Sequence, residues 1–275
     1  MSSVGTHLRA GFALRIVILA SFILGSSLWG LCQGHGGVEV SFALQSSSVT
    51  LHEPVVVNLS IHNGLAEEAS IDFGYDREGN FDFSIVQPDG STIRLPRLPR
   101  RNGMSRLAQL QLRSGETYGQ KLLLNKWYAF SEPGDYRILL TLATAVSENS
   151  GVPAKAEFSQ QLTLVVGERD EKRLEELCEG LARAAMMTNA ETALDAAKSL
   201  SYVEDVVAIP YLARLTREGA SVVVTKDIAL RGLGRVASVL GVETVVSRLS
   251  PEDRKLEPEI RAEVALSSSG NRNPR

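Results

Sequence analysis

The chain has 275 residues, of which 44% are hydrophobic and 22% charged. That balance excludes a disordered polypeptide and is enough for two domains of ordinary size. A formal net charge of −3 excludes a global electrostatic pull toward nucleic acid or anionic lipid.

The N-terminus reads as a secretory signal over residues 1–34. Arg9 and Arg15 form a positive region with no acid near them, and residues 16–24 are a continuous apolar and small-residue run, extended by residues 25–31. The run is short of the roughly 20 apolar residues of a membrane span and suits a signal core. The alternative is an uncleaved N-terminal anchor, the only membrane attachment the sequence offers. Cys32 is a poor lipidation site, because Leu31 is too large for the position before a modified cysteine and Trp29 replaces the expected leucine. If Cys32 leaves with the signal, Cys178 is the remaining thiol and no internal disulfide is available.

Residues 36–167 carry a β pattern. Val55-Val56-Val57-Asn58-Leu59-Ser60-Ile61-His62 becomes alternating, the sign of a strand with one buried face, and Asn63-Gly64 follows as a turn signal. Phe83-Ser84-Ile85-Val86 and Thr92-Ile93-Arg94-Leu95 flank Pro88-Asp89-Gly90-Ser91 as a hairpin. Further strands are predicted at 117–124, 136–144 and 156–166, the last with Gln160 breaking an apolar row. About seven short strands without a helix argue for an all-β sandwich. The segment Phe130-Ser131-Glu132-Pro133-Gly134-Asp135-Tyr136-Arg137-Ile138 resembles the corner before a late strand of bacterial immunoglobulin-like modules. The resemblance implies a tight turn at Pro133-Gly134 and a Tyr136 hydroxyl bonded back to the corner backbone. The cysteine pair of antibody domains is absent, so Trp127 has no disulfide to pack on.

From residue 168 the period becomes helical. Leu174, Leu177, Cys178 and Leu181 form one apolar stripe, and further helices are predicted near 190–201, 204–217, 224–237 and 240–249. Pro210 should bend the third, and Pro251 should open a last helix. Residues 268–275 read as a disordered tail. Ala196-Ala197-Lys198-Ser199-Leu200-Ser201-Tyr202-Val203 aligns with Ala229-Leu230-Arg231-Gly232-Leu233-Gly234-Arg235-Val236, 33 positions later. Paired helices at such a period resemble HEAT-type repeats, which implies a short α-solenoid of about two helical pairs over 168–267. A plain helical bundle is the rival reading.

The fold class is therefore all-β plus all-α in two domains. No catalytic constellation emerges. Of four histidines, only His52 and His62 fall in the β half and none in the helical half, and neither shows metal-ligand spacing. Cys178 reads as core. The loop 72–82 alternates Asp76, Glu78, Asn80 and Asp82, an oxygen-rich pattern that misses the calcium-loop spacing, so no metal or other cofactor is expected. The arginine-rich loop 94–113, with Arg97, Arg100, Arg101 and Arg106, is the candidate binding surface, since guanidinium groups fork onto anions. Its lack of aromatic residues argues against nucleic acid. These readings lead to an exported, non-catalytic binding or scaffold protein, periplasmic or extracellular, which holds a protein partner on its helical repeats. The alternative is an accessory or inhibitor module of an envelope enzyme acting through the arginine loop.

Overall fold

The computed structural model describes residues 33–35, 37–73, 78–95, 109–148, 151–218 and 223–270. Eleven strands precede six helices: β1 Gln33–His35, β2 Val38–Leu44, β3 Ser48–Thr50, β4 Val56–Asn63, β5 Ala69–Asp72, β6 Phe81–Val86, β7 Thr92–Leu95, β8 Gln109–Leu112, β9 Thr117–Leu123, β10 Gly134–Glu148 and β11 Ala154–Gly167; then α1 Glu171–Ala185, α2 Ala190–Leu200, α3 Ile209–Glu218, α4 Val223–Leu240, α5 Val242–Arg248 and α6 Glu257–Gly270.

The strands build two facing sheets. One is antiparallel in the order β1-β2-β4-β9. The other is organised by β10, whose fifteen residues are long enough to take two partners along one edge. Arg137–Leu142 pair with β6, Ala145–Glu148 pair with β5, and β7 and β8 extend those branches. The opposite edge of β10 pairs with β11, which takes β3 in parallel. Alternation sends Val57, Leu59 and Ile61 of β4 inward to meet Phe81, Phe83 and Ile85 of β6 and Tyr136, Ile138 and Leu140 of β10. The additional strands beyond the seven expected are mostly three or four residues long, too short for a period to show.

The corner before β10 forms as its residues imply. Tyr136 is buried and its hydroxyl donates to Glu132 O at 2.8 Å. Tyr128 and Phe130 pack edge-on around it, and Trp127 lies 4.6 Å from the Phe83 ring in place of a disulfide. The tight turn expected at Pro133-Gly134 is instead a bend at Glu132, with Gly134 already in β10 at φ +138°. A Cβ at Gly134 would sit 2.6 Å from Pro88 Cβ. Gly134→Ala is thus expected to lose about 1–2 kcal/mol through backbone strain and that contact, read as a lower urea midpoint at unchanged slope.

The helical half has its own core, separate from that of the sandwich. Asp170 caps α1 by accepting from Arg173 N, and Asn189 caps α2 by accepting from Thr192 N. The helix expected over 204–217 is divided. Val206–Ala208 is a 3-10 turn, α3 starts at Ile209, and Pro210 lies in its first turn, where its missing N–H costs nothing and no bend results. Pro251 lies in a turn, and Pro258 instead occupies the first turn of the last helix. Gly241, at φ +89°, separates α4, which ends at Leu240, from α5, so the helix expected over 240–249 begins at Val242. The helix α6 runs to Gly270, past the point where the tail was expected to begin, with the Ser267 and Ser268 hydroxyls donating to carbonyls one turn back.

The internal repetition is also placed differently. The segments aligned at 33 residues belong to α2 with its following turn and to the middle of α4, two elements that pack on each other: a Cβ on Gly232 would lie 2.9 Å from Ser201 Cα. They match because both bury small residues at one crossing. A shift of 48 positions (258 − 210) instead superposes whole features, taking Asp205 to Asp253, Pro210 to Pro258, buried Leu212 to buried Ile260, and Arg169 to Arg217. Arg169 pairs with Asp205 and Arg217 with Asp253, each across 36 residues. Each unit thus consists of three helices, with the strand-end or helix-end arginine at its start tied to the aspartate at the 3-10 turn before its last helix.

Candidate functional site

The two halves meet through polar contacts. Thr50, at the end of β3, accepts from Asp170 N at 2.8 Å and donates to Glu168 O. Arg173 in the first turn of α1 reaches back to Glu53 (2.8 Å) and to Ser48 O (2.7 Å). Arg169 makes a two-pronged bond to Asp205, at 2.7 and 3.1 Å. Burial alone would raise the Asp205 carboxyl, but Arg169 and the Val207 N–H hold it below the ordinary carboxylate range. The Arg169 guanidinium is held above its ordinary value, chiefly by its hydrogen bond to Asp205. These bonds fix α1 at the end of β11, and α1 in turn positions α2.

That placement opens a cleft of about 610 Å³ between α2 and the outer surface of β4 and β9, within the usual size of ligand pockets. One wall is the face of α2 that carries Glu191, Thr192, Asp195, Lys198 and Ser199. The other is formed by Asn58 of β4 and Gly119 and Lys121 of β9, and Lys126 and Glu78 close one end. Three cations and three anions line the cleft. Lys121 spans the cleft to Asp195 at 3.6 Å, and Lys126 pairs with Glu78. The Lys121 side chain is 52% exposed, so this crossing pair contributes at most about 1 kcal/mol and is readily exchanged for a ligand group. Beyond this end Arg235 lies 3.7 Å over the Tyr202 ring and donates to Ser201 O, fixing the turn after α2. Burial pushes the Glu204 carboxyl up, against the opposing effect of Arg235 and His52.

The residues singled out by the sequence lie elsewhere. Arg97, Arg100, Arg101 and Arg106 fall outside the described residues, as do Cys32 and Asp76. Of the flanking arginines, Arg94 is exposed on β7 and Arg113 is exposed before β9. In the acidic stretch, Asp72 O accepts from Asn80 and Thr144, and Glu78 belongs to the cleft. Among the described residues no group of three His, Cys, Asp or Glu is placed to hold a metal. His62 bonds the Thr117 hydroxyl across the β4–β9 pair at 3.0 Å. Cys178 is fully buried on the stripe of α1, and burial pushes its thiol up to about 12, which leaves it inert. Apart from Glu78, the cleft residues are not singled out by the sequence. Glu191, Asp195 and Lys198 recur at helical spacing, as on any solvated helix face, and only the sheet opposite makes them a wall.

The fold defines the class: an immunoglobulin-like β-sandwich of two packed sheets with a tyrosine corner, followed by six helices. No family model matches the chain. No curated protein matches it. Similar solved structures include the structural-genomics target SoR45, at 11% identity over 49% of this chain and 90% of that one, with a TM-score of 0.31. A PapD-like domain of human CEP192 has 11% identity over 47% of this chain and 87% of its own, with a TM-score of 0.28. The CARDB domain of a Pyrococcus furiosus protein, solved with di-metal ions, has 10% identity over 50% of this chain and 100% of its own, with a TM-score of 0.26. Similarity at this level bears on neither ligand nor activity. Among the described residues no helix is long and apolar enough to cross a membrane.

Proposed function

We propose that the protein is an exported, non-catalytic binding protein that holds a protein partner in the cleft between its sandwich and its helical half. The helical half is read as a short α-solenoid of two three-helix units, in place of the helical pairs of HEAT type, and its α2 face serves as one wall of that cleft. The observation that carries the reading is the cleft itself, a polar two-walled space set by a bonded joint, with mixed charge and a weak crossing ion pair. Mixed charges in such a space give specificity for a partner of matching pattern more than raw affinity.

Site-directed photocrosslinking on the native envelope fraction tests this. A crosslinking residue at Thr192, inside the cleft, is expected to capture one discrete partner, and the same residue at Thr163, on the outer surface of β11, is expected to capture none. Equal capture at both positions overturns the cleft reading. Capture at Thr92 of β7 alone moves the binding surface to the neighbouring arginine loop.

A further inference from the structure

Among the described residues the strand β9 is the last strand of its sheet, in the order β1-β2-β4-β9. Its pairing with β4 fixes which backbone groups remain. Leu124 N donates to Val55 O and Asn63 N donates to Glu116 O, both at 2.9 Å, at the two ends of the pair. In an antiparallel ladder, bonded positions alternate along the strand. With Val56 opposite Leu123 and His62 opposite Thr117, the bonded residues of β9 are Tyr118, Gln120 and Leu122. The N–H and C=O groups of Thr117, Gly119, Lys121 and Leu123 therefore point away from β4. Gly119, Lys121 and Leu123 all line the cleft, whose floor is the outer face of β4 and β9, so the open row of strand donors and acceptors forms its border on the side away from β4. A Cβ at Gly119 would find only Leu59 O, at 4.0 Å, so the outer face above the strand is open there.

We propose that the partner enters the cleft as an extended peptide that adds to β9 as the next strand of the sheet and presents a basic side chain to Glu191 and Asp195 of α2. The inference rests on the reading of the cleft as the binding site and adds the mode of binding. Backbone bonds to Gly119 and Lys121 supply the affinity of such strand addition, and side chains supply the choice of partner. Every second residue of an added strand faces the α2 side. There it meets two carboxylates one helical turn apart, Glu191 exposed and Asp195 in the crossing pair with Lys121. A basic residue of the peptide replaces Lys121 as the partner of Asp195. Lys198, one turn further along α2, takes an acid or a backbone carbonyl. An edge left open in this way would otherwise be prone to non-specific pairing, and the charged wall of α2 limits what can approach it.

The test uses the purified full chain and a displayed library of random twelve-residue peptides. The selected peptides are expected to carry a basic residue and to lose binding at least tenfold to Asp195→Lys. Amide exchange read residue by residue should then show the N–H groups of Gly119, Lys121 and Leu123 slowed at least tenfold by the peptide, with those of Tyr118, Gln120 and Leu122 unchanged. Gly119→Pro, which removes one outward N–H and no side chain, should weaken the same peptides at least tenfold. Should that variant fail to fold, the alternating exchange pattern decides alone. Peptides that need Asp195 but leave the odd-numbered β9 amides unprotected would keep the cleft as the site and overturn strand addition. A library that yields no binder, or binders that protect other elements, overturns strand addition as well.

Discussion

Arg169→Ala is expected to destabilise the protein by about 3 kcal/mol. Asp205 is buried, and Arg169 supplies two of its bonds. Truncation leaves a buried carboxylate with the Val207 N–H as its remaining hydrogen-bond donor among the described residues. The 35% exposure of the Arg169 side chain lets water recover part of the loss, which keeps the figure at the lower end for a broken buried pair. Replacing both partners by apolar residues of similar size, Arg169→Met with Asp205→Leu, should cost less than the single change, because no orphaned charge remains. The pair also sets a pH dependence. The folded-state pKa of Asp205 lies below its unfolded value, so its contribution is full above the unfolded carboxylate pKa and is lost as pH falls through the folded one. Urea midpoints measured on acidification should therefore fall less steeply in Asp205→Asn than in the parent. An Arg169→Ala unfolding free energy within about 0.5 kcal/mol of the parent would show that the joint does not depend on this pair.

The contrast between the halves shows what a sequence carries. The alternation of Val57, Leu59 and Ile61, and of Tyr136, Ile138 and Leu140, is visible because a one-sided core imposes period two on whole strands. The tyrosine corner is visible because a local segment contains both its donor and its acceptor. The strands β3, β5 and β8 are not, since three or four residues show no period and form only because β10 and β11 are already in place. In the helical half, helix type was readable but equivalence was not. Small residues recur at 33 positions because α2 and α4 both need close approach, whereas the unit of 48 is marked by only a few points, Asp205 and Asp253 with Pro210 and Pro258. The cleft was illegible for a related reason. Its helical residues follow the spacing of any solvated face and acquire meaning from the joint at Thr50, Glu53 and Arg173, which joins parts of the chain more than a hundred residues apart.

Gln160 is the clearest case of a sequence irregularity with a structural cause. It interrupts the apolar row of β11, yet its side-chain amide makes a reciprocal pair with the backbone of Phe42 in the other sheet. Phe42 N donates to Gln160 Oε1 at 2.8 Å, and Gln160 Nε2 donates to Phe42 O at 2.7 Å. The strand β1 covers the edge of β2 only from Val38 to Val40, so Phe42 lies beyond its reach and the amide of Gln160 acts as a one-residue strand that clips the sheets together. Gln160→Ala leaves two backbone groups of a buried residue unpaired and should cost about 2–4 kcal/mol. Gln160→Glu separates the clip from simple packing. At neutral pH the carboxylate still accepts from Phe42 N–H but opposes Phe42 O, and the variant should be nearly as unstable as the alanine one. A protonated carboxyl restores the missing donor, so the folded-state pKa of the introduced glutamate rises above its unfolded value. The folded state then takes up the proton first, and stability relative to the parent recovers as pH falls through that raised pKa. Denaturation midpoints of parent and variant measured in parallel should converge toward acid pH. A gap that stays constant with pH would mean that the two sheets are held by their apolar core alone.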